Sequence, residues 1–270
     1  MPTLLGIPLD VNSSYLRGAA EAPAKIREAL GSDASNRWTE LGVDLGVAGR
    51  FADAGDLRLK DSPASVADDF AEVERAVGEL LEKGEFPVSL GGDHSVTHPI
   101  LKAFARRYRE LTIVHFDAHP DLYDEFEGSR VSHACPFARI MEERLARRLV
   151  QVGIRTMNGH QREQVARFGV EVVEMQALPA YERLKIQGPV YISFDMDVLD
   201  PGFAPGISHR EPGGMTVREA IAHLHAIEGT IVGADVVEYN PRQDISGMTA
   251  TVAAKIVKEI LGKMIVGNGR

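Results

Sequence analysis

A chain of 270 residues is long enough for one large α/β domain with a sizeable buried core, and 44% hydrophobic with 26% charged residues is ordinary for a water-soluble chain. The formal charge of −9 disfavours nucleic acid, which calls for a basic face, and suits a small cationic ligand in an acidic cleft. No membrane partner is expected, since no apolar run is long enough to span one; a single cysteine, Cys135, and a start without a basic, cleavable leader lead us to expect a reducing, cytoplasmic location.

Short apolar or β-branched runs alternate with segments of helical period, which predicts βα units and a mostly parallel sheet. In chain order the pattern predicts a strand over 4–8, a helix over 22–30 with Pro23 in its first turn, a candidate strand at 50–53, a helix over 65–83, a strand over 87–90 and a helix over 96–107. A strand follows over 112–116, then a helix over 137–147 behind Pro136, a strand over 149–152, a helix over 161–167 and strands over 170–173 and 190–194. The chain closes with a helix over 217–226, a strand over 231–236 and a helix over 248–261. No repeat, low-complexity tract or linker interrupts residues 1–270, so one domain is expected. The longest irregular stretches, 118–136 and 198–216, each follow a predicted strand, where ligands of parallel sheets bind; they are candidate pocket walls.

Three clusters of metal-binding side chains fall at these strand ends: Gly91-Gly92-Asp93-His94-Ser95, Asp117-Ala118-His119-Pro120-Asp121 and Asp195-Met196-Asp197, with Glu238 after a fourth strand. Residues two apart in extended chain point the same way, so Asp117, His119 and Asp121 can converge, as can Asp195 and Asp197. Alone, an Asp-x-Asp is commonly a turn or cap and Gly-Gly-Asp-His-Ser a glycine turn. Together, at successive strand ends, they point to a site. Four carboxylates with the imidazoles of His94 and His119 make a hard, oxygen-rich donor set, best suited to manganese, with zinc, iron, cobalt or nickel as alternatives. Crowded carboxylates repel unless cations neutralise them, which favours two divalent ions over one. Gly91 and Gly92 lack the Lys-Ser/Thr ending of a nucleotide-binding loop.

These motifs, with Ser193-Phe194-Asp195-Met196-Asp197-Val198-Leu199-Asp200-Pro201 and the loop from Ala204-Pro205-Gly206 to Pro212-Gly213-Gly214, resemble the signatures of the ureohydrolase family of arginases and agmatinases. The likeness extends over nearly the whole chain, and Asn12-Ser13-Ser14 and Gly247-Met248-Thr249-Ala250 are similar to plant-type arginases in particular. The resemblance implies a three-layer α/β/α sandwich around a parallel sheet of about eight strands, and a homo-oligomer, trimeric or hexameric. It implies that His94, Asp117, Asp121 and Asp195 bind one ion and His119, Asp117, Asp195 and Asp197 the other. His133 matches the family's acid–base histidine, although Ala134 replaces the more usual glycine after it, and Glu238 matches the acid that pairs with the guanidinium. Asp121 would also accept a hydrogen bond from the reaction intermediate.

The expected reaction is hydrolysis of arginine to urea and ornithine, with agmatine or another guanidino acid as the alternative substrate. In the loop over 123–130, Asp124, Glu125 and Glu127 would favour a bare ammonium, whereas Ser129 and Arg130 would hold a carboxylate, and all of them would equally suit a solvated surface. His209 would line the pocket mouth or sit in a solvated loop, and His115 would support the ligands or pack in the core. Cys135 reads as a small buried residue. A metal-dependent deacetylase would call for an adjacent His-His pair, which this chain lacks; a non-catalytic guanidino-compound binder is the remaining alternative.

Overall fold

Neighbouring residues of the central strands point to opposite faces yet are equally buried: Leu4 and Leu5, Ile113 and Val114, and Tyr191 and Ile192 each expose 3% or less. Such strands need a layer on both sides, and the computed structural model, which describes residues 1–178 and 185–268, provides them. Its strands are β1 (Pro2–Gly6), β2 (Ala52–Asp56), β3 (Phe86–Leu90), β4 (Thr112–Phe116), β5 (Arg148–Ile154), β6 (Glu171–Glu174), β7 (Lys185–Asp195) and β8 (Glu228–Val237). Its helices are α1 (Ala22–Leu30), α2 (Val66–Glu82), α3 (Thr97–Arg107), α4 (Pro136–Glu142), α5 (Gly159–Phe168), α6 (Val217–Ala226) and α7 (Met248–Asn268). Helices α1, α6 and α7 bury their apolar faces on one side of the sheet, and α2, α3, α4 and α5 on the other. This is the expected three-layer sandwich around an eight-stranded parallel sheet.

Local chemistry sets several boundaries. Reciprocal caps between Asn158 and Gln161, and between Thr216 and Glu219, start α5 and α6. Helix α4 stops at Glu142, earlier than the apolar pattern suggests, because Arg144 turns left-handed (φ 54°) while Leu145 N bonds Ile140 O at 3.0 Å and Arg144 N bonds Met141 O at 3.2 Å. That is a Schellman closure made without glycine. Helix α7 runs past the expected end at 261: Gly262 is no stop but a close approach, where a Cβ would lie 2.7 Å from Thr39 Cγ2.

The sheet order β2-β1-β3-β8-β7-β4-β5-β6 places the site. The chain lays down β1 to β3, leaves a gap, builds β4 to β6 outward, then returns to fill the gap with β7 and β8. The carboxyl ends of β3, β8, β7 and β4 thereby stand side by side where the winding reverses, the position at which open parallel sheets bind ligands.

Candidate metal centre

Each of those four strand ends carries one of the polar motifs. After β3 the Gly91-Gly92 turn threads between the chain following β1 and the end of β8: a Cβ on Gly92 would lie 1.8 Å from Leu9 O, and one on Gly91 2.6 Å from Val237 Cγ1. The tight approach lets Asp93 N donate to Leu9 O and Glu238 N to Gly92 O, both at 2.9 Å. The Asp93 carboxylate caps the short helical turn His94–Val96 by accepting from Ser95 N at 3.0 Å, which fixes the backbone from which His94 projects.

His94 Nδ1 stands 3.1 Å from Asp121 Oδ2, 3.1 Å from Asp195 Oδ2 and 3.2 Å from Asp117 Oδ2. His119 Nδ1 stands 2.9 Å from Asp197 Oδ2 and 3.4 Å from Asp117 Oδ1. Asp117 therefore turns one oxygen to each imidazole. Asp195 turns Oδ2 toward His94, while its Oδ1 accepts from Asp197 N at 2.7 Å. The structure thus brings together all six side chains singled out as metal ligands.

Their chemistry fits divalent cations. Ser193 Oγ donates to Asp235 Oδ1 at 2.7 Å, so its oxygen accepts from His94 Nε2–H at 2.9 Å. That tautomer points the Nδ1 lone pair, buried and without a well-aligned hydrogen-bond partner, at three carboxylates. A lone pair facing anions is stable only with a positive charge between them, and imidazole with hard oxygens suits a manganese-like ion. Protons play that part in the metal-free chain. Burial opposes it, but the close carboxylates of Asp117, Asp121 and Asp195 raise His94 well above the usual histidine value. His119 likewise rises against burial, through Asp197 and Asp117. Burial, then the neighbouring Asp197 and Asp117, push Asp195 well above the carboxylate range.

A layer of which sequence pointed only to His115 as a support orients these ligands. Gln151 Nε2 donates to His115 Nδ1 at 3.0 Å, leaving His115 Nε2–H to donate to Asp117 Oδ2 at 2.7 Å. Burial holds His115 below the usual histidine range, in keeping with this neutral tautomer. His115 thus supports a ligand while packing face to face with Phe137 at 3.9 Å. Asp235, fully buried, also accepts from Tyr191 OH at 2.7 Å and Thr97 Oγ1 at 2.9 Å. Arg155 pins the loop after β7, donating to Asp197 O at 2.7 Å and Glu211 O at 2.6 Å. No local motif marks Ser193, Asp235, Gln151 or Arg155 as a group; alternation along the strands puts Ser193 and Asp235 on one face, and that was the available signal.

Above the centre opens a cavity of about 290 Å³, floored by His119, Asp121, Asp195 and Asp197 and walled by Tyr123, Phe126, Gln161, His133, His209 and Glu238. His133 Nδ1 lies 2.9 Å from Glu238 Oε1, and His133 Nε2 lies 2.9 Å from Ser14 Oγ. Glu238 Oε1 also accepts from His94 N at 2.9 Å, while Oε2 takes no hydrogen bond among the described residues. Burial works to lower the His133 pKa, but the Glu238 carboxylate outweighs it and raises the value to about 9. His209 stacks on His133 at 5.1 Å with its buried Nε2 unpartnered. Asp121 (φ 50°) and Glu238 (φ 63°) adopt left-handed backbone, a strained state for residues with a Cβ that concentrates at functional sites.

Two expected substrate contacts require correction. Arg130 lies outside the cavity, exposed and engaged with Asp124 at 2.8 Å and Glu142 at 2.9 Å. Ser129 pairs with Phe126 through backbone hydrogen bonds in an adjoining groove, and its hydroxyl accepts from Val131 N at 3.3 Å. Cys135 is buried, and burial with Asp121 nearby pushes its thiol up to about 12, so it is no nucleophile. Ser14, whose hydroxyl reaches His133, was not among the expected site residues.

The arginase family model matches residues 2–262. The chain is 46% identical to "Arginase 1, mitochondrial" of Arabidopsis thaliana, an alignment covering 97% of this chain and 80% of the relative. It is 37% identical to the agmatinase of Bacillus subtilis (strain 168), covering 96% and 90%. Among solved structures, the arginase from Medicago truncatula superposes with a TM-score of 0.93 at 44% identity, covering 97% of this chain and 87% of the other. The relatives from Arabidopsis thaliana and Medicago truncatula are named mitochondrial or chloroplastic/mitochondrial enzymes, which overturns the expectation of a cytoplasmic location.

Proposed function

The chain belongs to the arginase family, and on that premise we propose that it hydrolyses the guanidinium of arginine to urea and ornithine with the help of two divalent ions, manganese fitting the donor set best. One observation carries the reading: two imidazoles and four aspartates converge beneath a cavity whose wall presents a carboxylate, Glu238, beside a protonatable imidazole, His133. Family membership also displaces the deacetylase alternative. Association into trimers or hexamers belongs to the same proposal and rests on the family alone.

His94, Asp117, Asp121 and Asp195 would hold one ion, and His119, Asp117, Asp195 and Asp197 the other. When bound, such ions supply Lewis acidity and make water nucleophilic near neutral pH. The remaining work belongs to the protein. A guanidinium is planar and permanently cationic, and Glu238 Oε2 accepts its N–H groups through charge-assisted hydrogen bonds. Near neutrality His133 holds a proton at Nδ1 toward Glu238 and another at Nε2 toward Ser14. A guanidinium competing for Glu238 loosens that pair and frees the imidazolium to protonate the departing amine. Asp121 sits in the floor, placed to accept a hydrogen bond from the tetrahedral intermediate.

A second reading, agmatine as substrate, is favoured by one feature: among the described residues no lysine or arginine lines the cavity, so an α-carboxylate held away from His133 would meet neutral donors such as Ser14, Tyr123 and Gln161. The relatives weigh the other way, 46% identity to a plant arginase against 37% to an agmatinase. Urea release by manganese-loaded protein from arginine, agmatine and guanidinobutyrate decides. Arginine is expected to dominate; dominance of agmatine selects the second reading, and no urea from any substrate refutes both.

A further inference from the structure

A second cavity, at about 400 Å³ larger than the one above the centre, opens at the β2 edge of the sheet and shares none of its lining residues. Leu4, Leu30, Leu45, Phe51 and Ala254 make it apolar, and four cations enter it: Arg27 from α1, Arg37 from the segment after α1, and Lys255 and Lys258 from α7.

Two of these charges are already answered. Arg27 is bound by Asp53 at 2.8 Å and by Asp56, and Lys255 by Glu259 at 2.6 Å and Glu40 at 3.0 Å. The other two are not. Lys258 is only 8% exposed, yet its ammonium donates only to Asn36 O at 3.1 Å, with no carboxylate in ion-pair range among the described residues. Arg37, exposed at the rim, has no side-chain hydrogen bond or ion pair among the described residues. Burial, then Lys255 alongside, hold Lys258 below the usual lysine range against the opposing pull of Glu259 and Glu40. Four carboxylates stand near the four cations, Asp53 of the cavity wall among them, but Arg27 and Lys255 engage all four, which leaves Lys258 and Arg37 without a direct carboxylate partner among the described residues.

We propose that this cavity is a binding site, independent of the catalytic reading, for a small organic carboxylate with an apolar body. The carboxylate would sit between the Lys258 ammonium and the Arg37 guanidinium, which can grip it through two N–H groups. The apolar body would cover Phe51, Leu45 and Leu30. The volume is that of an ordinary small-molecule pocket, apolar walls with a few converging polar groups. An inorganic anion would leave the apolar walls uncovered, and an organic cation would meet two charges of its own sign.

The test is calorimetric titration of the full, manganese-loaded chain with octanoate, octylammonium and inorganic phosphate as probes. Octanoate is expected to bind once per chain while the other two do not. Lys258→Met, which keeps the length and removes the charge, and Arg37→Gln are each expected to weaken octanoate about tenfold and to leave urea release unchanged. Arg37 lies on the surface, so its variant decides the matter should Lys258→Met fold poorly. Absence of octanoate binding, equal binding of octylammonium, binding of phosphate alone, wild-type affinity in a folded variant, or displacement of octanoate by the guanidino substrate would each overturn the assignment.

Discussion

Replacing Ser193 by alanine removes one oxygen from a fully buried position and should weaken one metal site selectively. Its hydroxyl donates to Asp235 Oδ1 at 2.7 Å and receives His94 Nε2–H at 2.9 Å. The other donors to Asp235, Tyr191 and Thr97, both reach Oδ2, so the variant strips Oδ1 of its hydrogen bond and orphans the His94 N–H. Each of the two buried groups left unpaired costs about 1–3 kcal/mol, so the metal-free protein should lose roughly 2–6 kcal/mol. The ligand loses the partner that holds its tautomer, a change that lowers metal affinity by about 10- to 100-fold. Calorimetric titration of metal-free protein with Mn²⁺, alongside thermal melts, reads both effects. The binding step assigned to His94 should weaken while that of His119, which has no contact with Ser193, persists. Unaltered affinity together with an unaltered melting temperature would refute the assigned chain from Asp235 through Ser193 to His94.

In the metal-free protein the His133–Glu238 pair raises the histidine pKa to about 9, so its contribution to stability is complete below the unfolded value of about 6.5 and fades as pH rises through about 9. The melting-temperature gap between wild type and His133→Gln should therefore be wide at pH 6 and narrow at pH 10; a constant gap removes the pair from the balance. Gly92→Ala drives a Cβ to 1.8 Å from Leu9 O and should cost about 3 kcal/mol or more, whereas a melt within a degree of wild type would show that the turn yields freely. Glu238→Gln should lower kcat/KM for arginine by about 100-fold at unchanged metal content, and Arg130→Ala, whose guanidinium faces Asp124 and Glu142 outside the cavity, should leave it within twofold. Reversal of that pair of outcomes would move the substrate contact from the cavity wall to the loop.

What could be read from sequence followed from short-range pattern. Alternating apolar runs located the strands, and side chains two apart after a strand announced Asp117, His119 and Asp121 and then Asp195 and Asp197 as convergent groups. Convergence between motifs depended on β7 and β8 filling the gap between β3 and β4, which spacing alone does not dictate. Apart from His115, the supporting layer was hidden because its contacts span the chain: Ser193 meets His94 from 99 residues away, and Gln151 meets His115 from 36. Arg130 misled for the opposite reason, since its charge is taken up by nearby Asp124 and Glu142. The early end of α4 escaped notice because arginine, not glycine, occupies the left-handed position. The cytoplasmic expectation failed because one cysteine reports redox chemistry and not address.

Anomalous diffraction at the manganese edge from crystals of the manganese-loaded protein bears most directly on the whole scheme. Two peaks are expected, one ringed by His94, Asp117, Asp121 and Asp195 and the other by His119, Asp117, Asp195 and Asp197. A single peak, or metal bound away from these side chains, would contradict it.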